Sequence, residues 1–389
     1  MESAFNSKYP SIDHLREKAR KRMPGFAFDY LEGGCNSNIN LRRNTEDIRK
    51  VQLRPYYIGQ YAGSDLRTEL FGETYDAPFG IAPVGLQGLM WPGSCEILAK
   101  AAATHNIPFC LSTVSTASIE TIAEITGGRA WFQLYHPAED ELRDKLIARV
   151  SEAGLPVLVI LADTPTFGYR PKEIRNGLSI PPQMTLRNIG QMLTHPAWCA
   201  GQLAAGKPEF KTMKPYIPKG LNMKHLGLFM NKTFSGRLNE DRIKALRDLW
   251  KGKLVVKGIV TEEDAEKVIA LGADGFISSN HGGRQLDAGQ STIKPMTELA
   301  KKFGDKITVM LDSGIRGGPD IACALASGAR FTFLGRSFMY GVGALGHNGG
   351  LHTAFMLKRQ VQQVMEQLAC ERVSDFPKHL ITESSTSAC

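Results

Sequence analysis

The sequence has few of the features that mark secreted, metal-binding or membrane-spanning proteins. Its seven cysteines are odd in number and no two are spaced as CxxC, which argues against a disulfide framework or a zinc site and indicates a reducing compartment. The N-terminal stretch MESAFNSKYP carries no apolar signal core. The most apolar stretch, Leu155 to Ala162, is far shorter than the ~20 residues that cross a bilayer. We therefore expect a cytoplasmic protein whose closest association with a membrane is peripheral contact at its inner face.

Two common ligand signatures are also missing. No GxGxxG follows the first predicted strand, which counts against a dinucleotide-binding open sheet. The positive residues behind the net charge of +8 are scattered rather than clustered, which argues against a nucleic-acid partner. The charge instead favours small anionic ligands or an anionic membrane surface.

What the sequence does have is a repeated alternation of short apolar segments with longer amphipathic ones. Alternation of strand and helix repeated eight times predicts a parallel (β/α)8 TIM barrel, with a doubly wound open sheet as the alternative. A length of 389 residues and an apolar content of 42% suit one such domain. The eight predicted strands are 79–82, 109–112, 130–134, 157–162, 254–257, 275–278, 307–311 and 331–334.

Three further parts are predicted around the barrel. Residues 1–70 form a helical leader, with helix starts at Pro10–Ser11 and at Pro24. Residues 175–245 form an insertion, because about 90 residues separate the fourth and fifth strands and ordinary connections are far shorter. Residues 349–389 form a C-terminal helix and a polar tail.

The insertion leaves the barrel at the carboxyl ends of the strands, the face that holds the active site in barrel enzymes. We interpret it as a substrate lid whose apolar residues pack inward. Apolar residues among lysines also make 175–245 a candidate for contact with a membrane surface. These residues are Trp198, Met213, Tyr216, Leu226, Leu228, Phe229 and Met230.

The strongest chemical signal is the motif SNHGGRQLD at 279–287, directly after the sixth strand. His281 is suited to act as a general base near neutral pH. Arg284 can grip a carboxylate with two parallel hydrogen bonds. Together they suit an acid that bears a reactive proton, and the alternative is a histidine that only caps the strand end.

A second signal lies in LDSGIRGG at 311–318 and LGR at 334–336, after strands seven and eight. Barrels often bind phosphate with this pair of loops. The glycines let backbone N–H groups approach a phosphate, and Arg316 and Arg336 supply positive charge. Turn glycines with surface arginines are the alternative.

Further polar residues end strands three, four and five. Lys257 is suited to stabilise a developing anion or to form a Schiff base, unless it is simply solvated. Asp163 is suited to orient His281, with a turn or helix cap as the alternative. Gln133 and Tyr135 are placed to donate hydrogen bonds to a ring or to a substrate oxygen.

These motifs together resemble the FMN-dependent 2-hydroxy acid oxidase and dehydrogenase family. The resemblance runs through nearly the whole chain, and it implies a flavoprotein with FMN as cofactor. It also implies oxidation of a small lactate-like or mandelate-like L-2-hydroxy acid to the 2-oxo acid, and a homotetramer. The matching segments are FDYLEGG at 28–34, IAPVGLQG at 81–88, LSTVS at 111–115, FQLY at 132–135, DTP at 163–165 and VVKG at 255–258.

The resemblance implies a role for each matching residue. His281 takes the substrate proton, Asp163 orients His281, and Tyr135 contacts the substrate hydroxyl. Tyr30, Arg170 and Arg284 hold the substrate carboxylate, and Lys257 lies near the N1 and O2 edge of the flavin. The residues implied to bind the cofactor are Pro83, Val84, Gly85, Ser112, Gln133, Lys257, Ser279, Asp312, Gly314, Arg316, Gly335 and Arg336.

The sequence also departs from the family pattern. Leu161 stands where a threonine usually lies beside the flavin, and a leucine side chain cannot hydrogen-bond there. Gly85 stands where the oxidases usually carry alanine, and we expect it to leave room over the ring. The segment 167–173 is similar to the lactate 2-monooxygenase branch, whereas 194–198 is similar to bacterial L-lactate dehydrogenases. The electron acceptor therefore stays open between a quinone or other carrier and oxygen, and another FMN barrel or a Schiff-base aldolase remains an alternative.

Overall fold

The computed structural model describes residues 5–178, 183–206, 208–221, 223–234 and 236–382. Its centre is an eight-stranded parallel sheet in the order β1-β8-β7-β6-β5-β4-β3-β2, and a parallel bridge between Ile81 and Phe109 closes the ring. The TIM barrel is thus confirmed and the open sheet is wrong. The strands are β1 Phe79–Ile81, β2 Cys110–Ser112, β3 Trp131–Leu134, β4 Val157–Leu161, β5 Lys253–Lys257, β6 Gly275–Ser278, β7 Thr308–Leu311 and β8 Phe331–Leu334.

Helices form the leader, the outer layer and the connections. They are α1 Ile12–Arg22, α2 Gly25–Glu32, α3 Ile39–Ile48, α4 Gln87–Met90, α5 Ser94–His105, α6 Ile119–Thr126, α7 Asp140–Glu152, α8 Pro171–Arg175, α9 Leu186–Leu193, α10 Pro196–Ala205, α11 Met223–Thr233, α12 Glu240–Leu249, α13 Glu262–Ala270, α14 Ile293–Phe303, α15 Gly318–Ala326, α16 Arg336–Leu345 and α17 Gly349–Leu368. Within the described ranges, three short 3-10 helices add Lys214–Tyr216, Gly346–Asn348 and Val373–His379.

A hairpin that the sequence patterning missed covers the amino-terminal end of the barrel. Its strands, Thr68–Leu70 and Glu73–Tyr75, pair antiparallel. The two turn residues Phe71 and Gly72 both have positive φ, 57° and 88°, as tight hairpin turns require. Phenylalanine rarely adopts this conformation, so the turn carried no recognisable sequence signature.

The leader is helical only in its first part. Its helices begin where the caps predicted them, since Ser11 Oγ accepts a hydrogen bond from His14 N at the start of α1. The helical pattern stops at Ile48, and the hairpin lies at the end of the predicted 1–70 segment. Leu53 then pairs with Leu380, so the leader is tied to the C-terminal region. The last part of the predicted polar tail, 383–389, lies outside the described residues.

The insertion packs against the rim of the barrel and the leader. Trp198 is buried, donates from Nε1 to the carbonyl of Met90 at 3.1 Å, and meets the ring of Phe26 edge-on. Met213 and Met230 are also buried. The apolar side chains expected to pack inward therefore do so in these cases. The predicted boundary at 245 falls inside α12, which begins at Glu240.

No helix in the described ranges is long and apolar enough to cross a membrane.

Candidate active site

Strand geometry selects which side chains reach the mouth of the barrel. In β4, Val157 and Val159 belong to the apolar cluster inside the barrel, so alternation along the strand turns Leu161 to the same side. The same alternation operates at the ends of other strands and at the first residue beyond them. It directs to the mouth Ser112, Gln133, Lys257, Ser279 and Asp312.

The mouth opens into a cavity of about 1050 Å³, including its open side. Asp163 and Ser279 lie behind its wall, where they contact Lys257 and His281. The structure thus brings together every residue predicted for the site. Those that border the cavity are Tyr30, Pro83, Val84, Gly85, Ser112, Gln133, Tyr135, Arg170, Lys257, His281, Arg284, Asp312, Gly314, Arg316, Gly335 and Arg336.

The segment that borders the cavity is not the one that we predicted as a lid. No described residue of 175–245 borders the cavity. The loop between β4 and α8 contributes Phe167 and Arg170 instead. The described part of the insertion contacts this loop through the N–H of Gly236, which donates to the carbonyl of Pro165 at 3.3 Å. It contacts the leader through Asn176 Nδ2, which donates to Asp29 Oδ2 at 2.7 Å.

The loop after β6 holds His281 in an uncommon backbone conformation. His281 has φ 58°, and Gly282 and Gly283 follow with 65° and 73°. Left-handed backbone costs a non-glycine residue free energy and persists only where neighbours enforce it. Ser313 Oγ supplies part of that restraint, because it accepts hydrogen bonds from the N–H groups of Asn280 at 3.3 Å and Gly282 at 3.0 Å.

The leader restrains the same loop from the other side. Asn280 Nδ2 donates to the Oδ1 atoms of Asn44 at 2.7 Å and Asn40 at 3.1 Å, both in α3. Asp287 accepts a hydrogen bond from the N–H of Asn40 at 3.1 Å. Sequence reasoning gave Asn280 and Asp287 no role, although their place in one motif with His281 was an available signal.

Asp163 joins the two ionisable groups at the centre of the site. Its Oδ1 lies 3.0 Å from His281 Nδ1, and its Oδ2 lies 3.1 Å from Lys257 Nζ. Ser279 Oγ accepts a hydrogen bond from Lys257 at 2.7 Å and donates to Asp163 at 3.1 Å. With Nδ1 turned to the carboxylate, His281 Nε2 is directed to the cavity side, 3.5 Å from the hydroxyl oxygen of Tyr135.

Burial and charge set the protonation of this cluster. Burial alone would raise the pKa of Asp163, but Lys257 and His281 hold it far below its usual range. Burial lowers the pKa of His281 below its usual 6.5, and Asp163 opposes that change. Burial would lower the pKa of Lys257, but Asp163 and Asp312 raise it. At neutral pH the cluster therefore holds a neutral imidazole, an anion and a cation.

Arg284 and Arg170 form a cationic patch at the mouth, beside Tyr30. Arg284 donates to the carbonyls of Tyr30 at 2.9 Å and Gly33 at 2.7 Å, and its guanidinium lies 5.1 Å from the Tyr30 ring centroid. Arg170 donates to the carbonyl of Arg284 at 3.3 Å. These contacts fix both guanidinium planes and leave N–H groups for a carboxylate ligand.

Glu173 completes this patch and was missed by sequence reasoning. Its Oε1 accepts a hydrogen bond from Arg284 Nη2 at 2.5 Å, and its Oε2 lies 3.4 Å from Arg170 Nη1. It stands three residues after Arg170 on the short helix α8, at the spacing of helical ion pairs. That spacing was the available signal.

One buried donor in the cavity wall lacks a partner in the protein. Gln133 Oε1 accepts a hydrogen bond from Ser112 Oγ at 2.8 Å, whereas Gln133 Nε2 is buried and finds no partner among the described residues. An unsatisfied buried amide is costly. Its place in the wall, together with the Lys257 cation, points to a ligand with acceptor atoms and negative charge on one edge.

The arginines predicted for phosphate border the cavity, and Arg336 lies next to Arg284, because both donate to the carbonyl of Gly33. Burial lowers the pKa of Arg336 to about 9, and the neighbouring Arg316 and Arg284 act in the same direction. An anion bound here offsets that repulsion. Arg336 also donates to three backbone carbonyls, which are those of Leu31, Gly282 and Gly33. Its remaining N–H groups are those available to a ligand.

Both departures from the family pattern lie in the cavity wall. Leu161 pairs in register with Lys257 and presents an apolar side chain beside it. At Gly85 a Cβ atom would lie 2.6 Å from Cγ2 of Val114. The side chain of Val114 therefore lies where a Cβ atom at position 85 would point.

The closed parallel barrel, with Lys257, Asp163 and His281 in contact at its mouth and arginines in the cavity wall, suits an oxidoreductase that holds an anionic cofactor. The family model for FMN-dependent dehydrogenases matches residues 19–383. The chain belongs to this family, and its cofactor is FMN. The predictions of enzyme class and cofactor are confirmed.

Named relatives and a solved structure agree with this assignment. The (S)-mandelate dehydrogenase of Pseudomonas putida is 33% identical over 378 residues, which cover 97% of this chain and 95% of that protein. The L-lactate dehydrogenase of Pseudomonas syringae is 35% identical over 356 residues, covering 91% and 93%. The crystal structure of monotopic membrane protein (S)-mandelate dehydrogenase superposes with a TM-score of 0.90 at 32% identity, covering 97% of this chain and 100% of that one.

The residues present fit FMN. The free Nε2 of Gln133 suits an acceptor atom of the flavin ring, and Lys257 suits its electron-rich edge. Arg316 and Arg336 suit the phosphate. Gly314 has φ 93°, and a Cβ there would lie 2.6 Å from the Asn44 backbone, so glycine is required where this loop approaches the ligand.

We predict that Gln133→Glu weakens FMN binding at least about tenfold, because it replaces the unpartnered donor by a buried carboxylate. Fluorescence titration of apoprotein with FMN measures the dissociation constant. Gln363→Glu, on the exposed side of α17, is the matched control and is expected to bind FMN like the wild type. Equal affinities for the two variants would show that Gln133 does not face the ring.

Proposed function

We propose that the protein oxidises a small L-2-hydroxy acid, lactate-like or mandelate-like, to the corresponding 2-oxo acid. The named relatives support this proposal, since they are called mandelate and lactate dehydrogenases. The observation that carries it is the His281–Asp163 pair beside the two mouth arginines. A base and a carboxylate grip at one opening suit an acid whose reactive carbon is next to its carboxylate.

In this proposal the mouth residues orient the substrate. Arg284 and Arg170 hold its carboxylate, and Tyr30 adds a contact from the leader. Tyr135 contacts the hydroxyl, and burial raises the pKa of Tyr135 to about 12, so its phenol stays a donor at neutral pH. Holding the acid at several points fixes the reactive carbon beside His281.

The base is His281 in the same proposal. Its Nε2 removes a proton from the substrate, and Asp163 keeps the other nitrogen protonated and stabilises the imidazolium that forms. When bound, FMN would supply the acceptor for the two electrons and the second proton that leave the substrate. Lys257 supplies positive charge beside the ring, where negative charge collects on reduction. The electrons then pass to a quinone or another carrier, with oxygen as the alternative acceptor.

We predict that anaerobic addition of L-lactate or L-mandelate bleaches the flavin absorbance of the wild type. His281→Gln is expected to reduce the bleaching rate by about 10²–10⁴, the usual worth of a general base. The rate should rise with pH through the His281 pKa, because the neutral imidazole is the active form. Asp163→Asn removes the charge that raises this pKa, so the rise should move to lower pH.

Stopped-flow absorbance over a pH series measures these rates. Flavin that neither acid bleaches would contradict the proposed function while leaving the FMN barrel intact. Reoxidation of the reduced enzyme by a quinone analogue or by air then distinguishes the two acceptors.

We also propose that the protein contacts the inner face of the cell membrane through 175–245. Of the residues named from the sequence, Leu228 is exposed, while Trp198, Met213 and Met230 are buried. Other leucines of the insertion support the contact with the membrane. Leu186 and Leu193 are 88% and 78% exposed on one face of α9, and Leu203 of α10 is 86% exposed. Such a one-sided apolar helix suits an interfacial position.

Three further observations support this location. The similar crystal structure is described as that of a monotopic membrane protein. The cysteines in the described residues are free, as is usual in a reducing compartment. The net charge of +8 favours the anionic lipid of the inner face.

We predict that replacing Leu186, Leu193 and Leu203 together by glutamine abolishes binding to vesicles of phosphatidylcholine with phosphatidylglycerol. The substitution removes exposed apolar area without touching the core. Vesicle flotation measures the bound fraction. Leu249→Gln, exposed on α12, is the matched control and should float like the wild type. Undiminished binding of the triple variant would contradict this membrane face.

We propose, finally, that the chain forms a homotetramer. An exposed apolar stretch in the leader supports an interface, since Tyr57 is 77% exposed and Ile58 fully exposed. Sedimentation of the wild type should give four times the chain mass of 42.7 kDa. Ile58→Glu is expected to lower the assembly state, whereas Leu249→Glu is not. A wild-type monomer would contradict the tetramer.

A further inference from the structure

Glu173 is a buried carboxylate placed behind both arginines of the mouth. Its side chain is 10% exposed, contacts Arg284 and Arg170, and does not border the cavity. Burial lowers the pKa of Arg284, the neighbouring Arg170 acts in the same direction, and Glu173 opposes both. Glu173 thus neutralises one of the two guanidinium charges without touching the ligand space.

Other cations border the cavity near the mouth. Lys257 lies within 3.3 Å of two carboxylates, those of Asp163 and Asp312, and so offers no free positive charge to a substrate. Arg336 donates to the carbonyl of Gly33, as Arg284 does, and Arg316 and Arg336 are assigned to the cofactor phosphate, which would match their charge when FMN is bound. The mouth patch itself carries two cations and one anion, which leaves one net positive charge for a ligand.

Beyond these groups, the described residues that border the cavity include no further cation. The remaining wall includes the apolar or aromatic side chains of Leu31, Met90, Val114 and Phe167. A second carboxylate on the substrate would be moved from water to this wall without a partner, which is strongly unfavourable. It would also be repelled by the charge of Glu173.

We propose that Glu173 restricts the enzyme to 2-hydroxy acids with a single carboxylate and an uncharged side chain. The proposal rests on the proposed function and names the substrate class of the same site. Glu173 is a positioning and charge-balancing residue, because it acts on the substrate through the two arginines. Loss of its charge gives the mouth a second net positive charge and admits dicarboxylates.

The test compares binding of two unreactive acids of equal chain length, butanoate and succinate. Each is titrated into the FMN-loaded protein, and the change in the visible flavin spectrum gives the dissociation constant. The quantity of interest is the ratio of the succinate constant to the butanoate constant. Because no oxidation is involved, the ratio reports on Glu173 even if no 2-hydroxy acid bleaches the flavin.

The wild type is expected to bind butanoate at least about tenfold more tightly than succinate, which corresponds to one unit charge opposed at short range. Glu173→Gln keeps the shape and removes the charge, and the ratio should fall about tenfold or more. Glu173→Asp keeps the charge and shortens the side chain, so both constants should rise while their ratio stays that of the wild type. Glu141→Gln, exposed on α7, is the matched control and should leave both constants unchanged.

Several outcomes would overturn the proposal. They are a wild type that binds neither acid or binds succinate as tightly as butanoate, and a Glu173→Gln variant that weakens both acids equally. The last result would make Glu173 a purely structural support of the arginines. If Glu173→Gln does not fold, the double variant Arg170→Gln/Glu173→Gln has the wild-type net charge and should keep the preference for butanoate. A preference for succinate in the double variant contradicts the proposal.

Discussion

The site depends on one buried carboxylate, that of Asp163, which contacts both His281 and Lys257. Each partner pays a desolvation cost alone, and each is stabilised by the opposite charge beside it. The carboxylate orders the histidine and holds the lysine charged at the same time. The barrel makes this possible because β4, β5 and β6 are neighbours in the sheet, so their carboxyl ends bring distant parts of the chain within hydrogen-bonding distance.

Much of this arrangement follows from the sequence. The strands were predictable because buried parallel strands are short apolar runs, and VLVIL at 157–161 is buried throughout. Lys257 and Asp163 could be assigned to the mouth because polar residues that end such runs meet at one edge. The loop motif around His281 predicted a base and a carboxylate-binding arginine at the mouth, and the structure places both side chains at the cavity.

Other features lie beyond sequence patterning for physical reasons. The hairpin turn uses Phe71 at positive φ, which its packing rather than its local preference enforces. Glu173 resembles any helical carboxylate until the fold places Arg284, 111 residues away, against it. Which leucines of the insertion face solvent depends on how α9 docks on the leader, and Gln191 Oε1, which accepts from Phe26 N, fixes that docking. These three features thus depend on contacts between residues far apart in the chain, which local sequence patterns do not indicate.

The contact of the leader with the end of the chain has a consequence for how the enzyme matures. Helix α1 packs on α16, and Asn6 N donates to His352 Nδ1 across 346 residues. The loop that carries His281 is braced by α3, and Arg336 closes on carbonyls of the leader. The leader helices must therefore be joined by residues about 300 positions later in the chain before the mouth can assemble. Contacts between residues so far apart in the chain are slow to form. A chain that ends before α16 would lack part of the flavin site. Binding of FMN would therefore indicate that the whole barrel has folded.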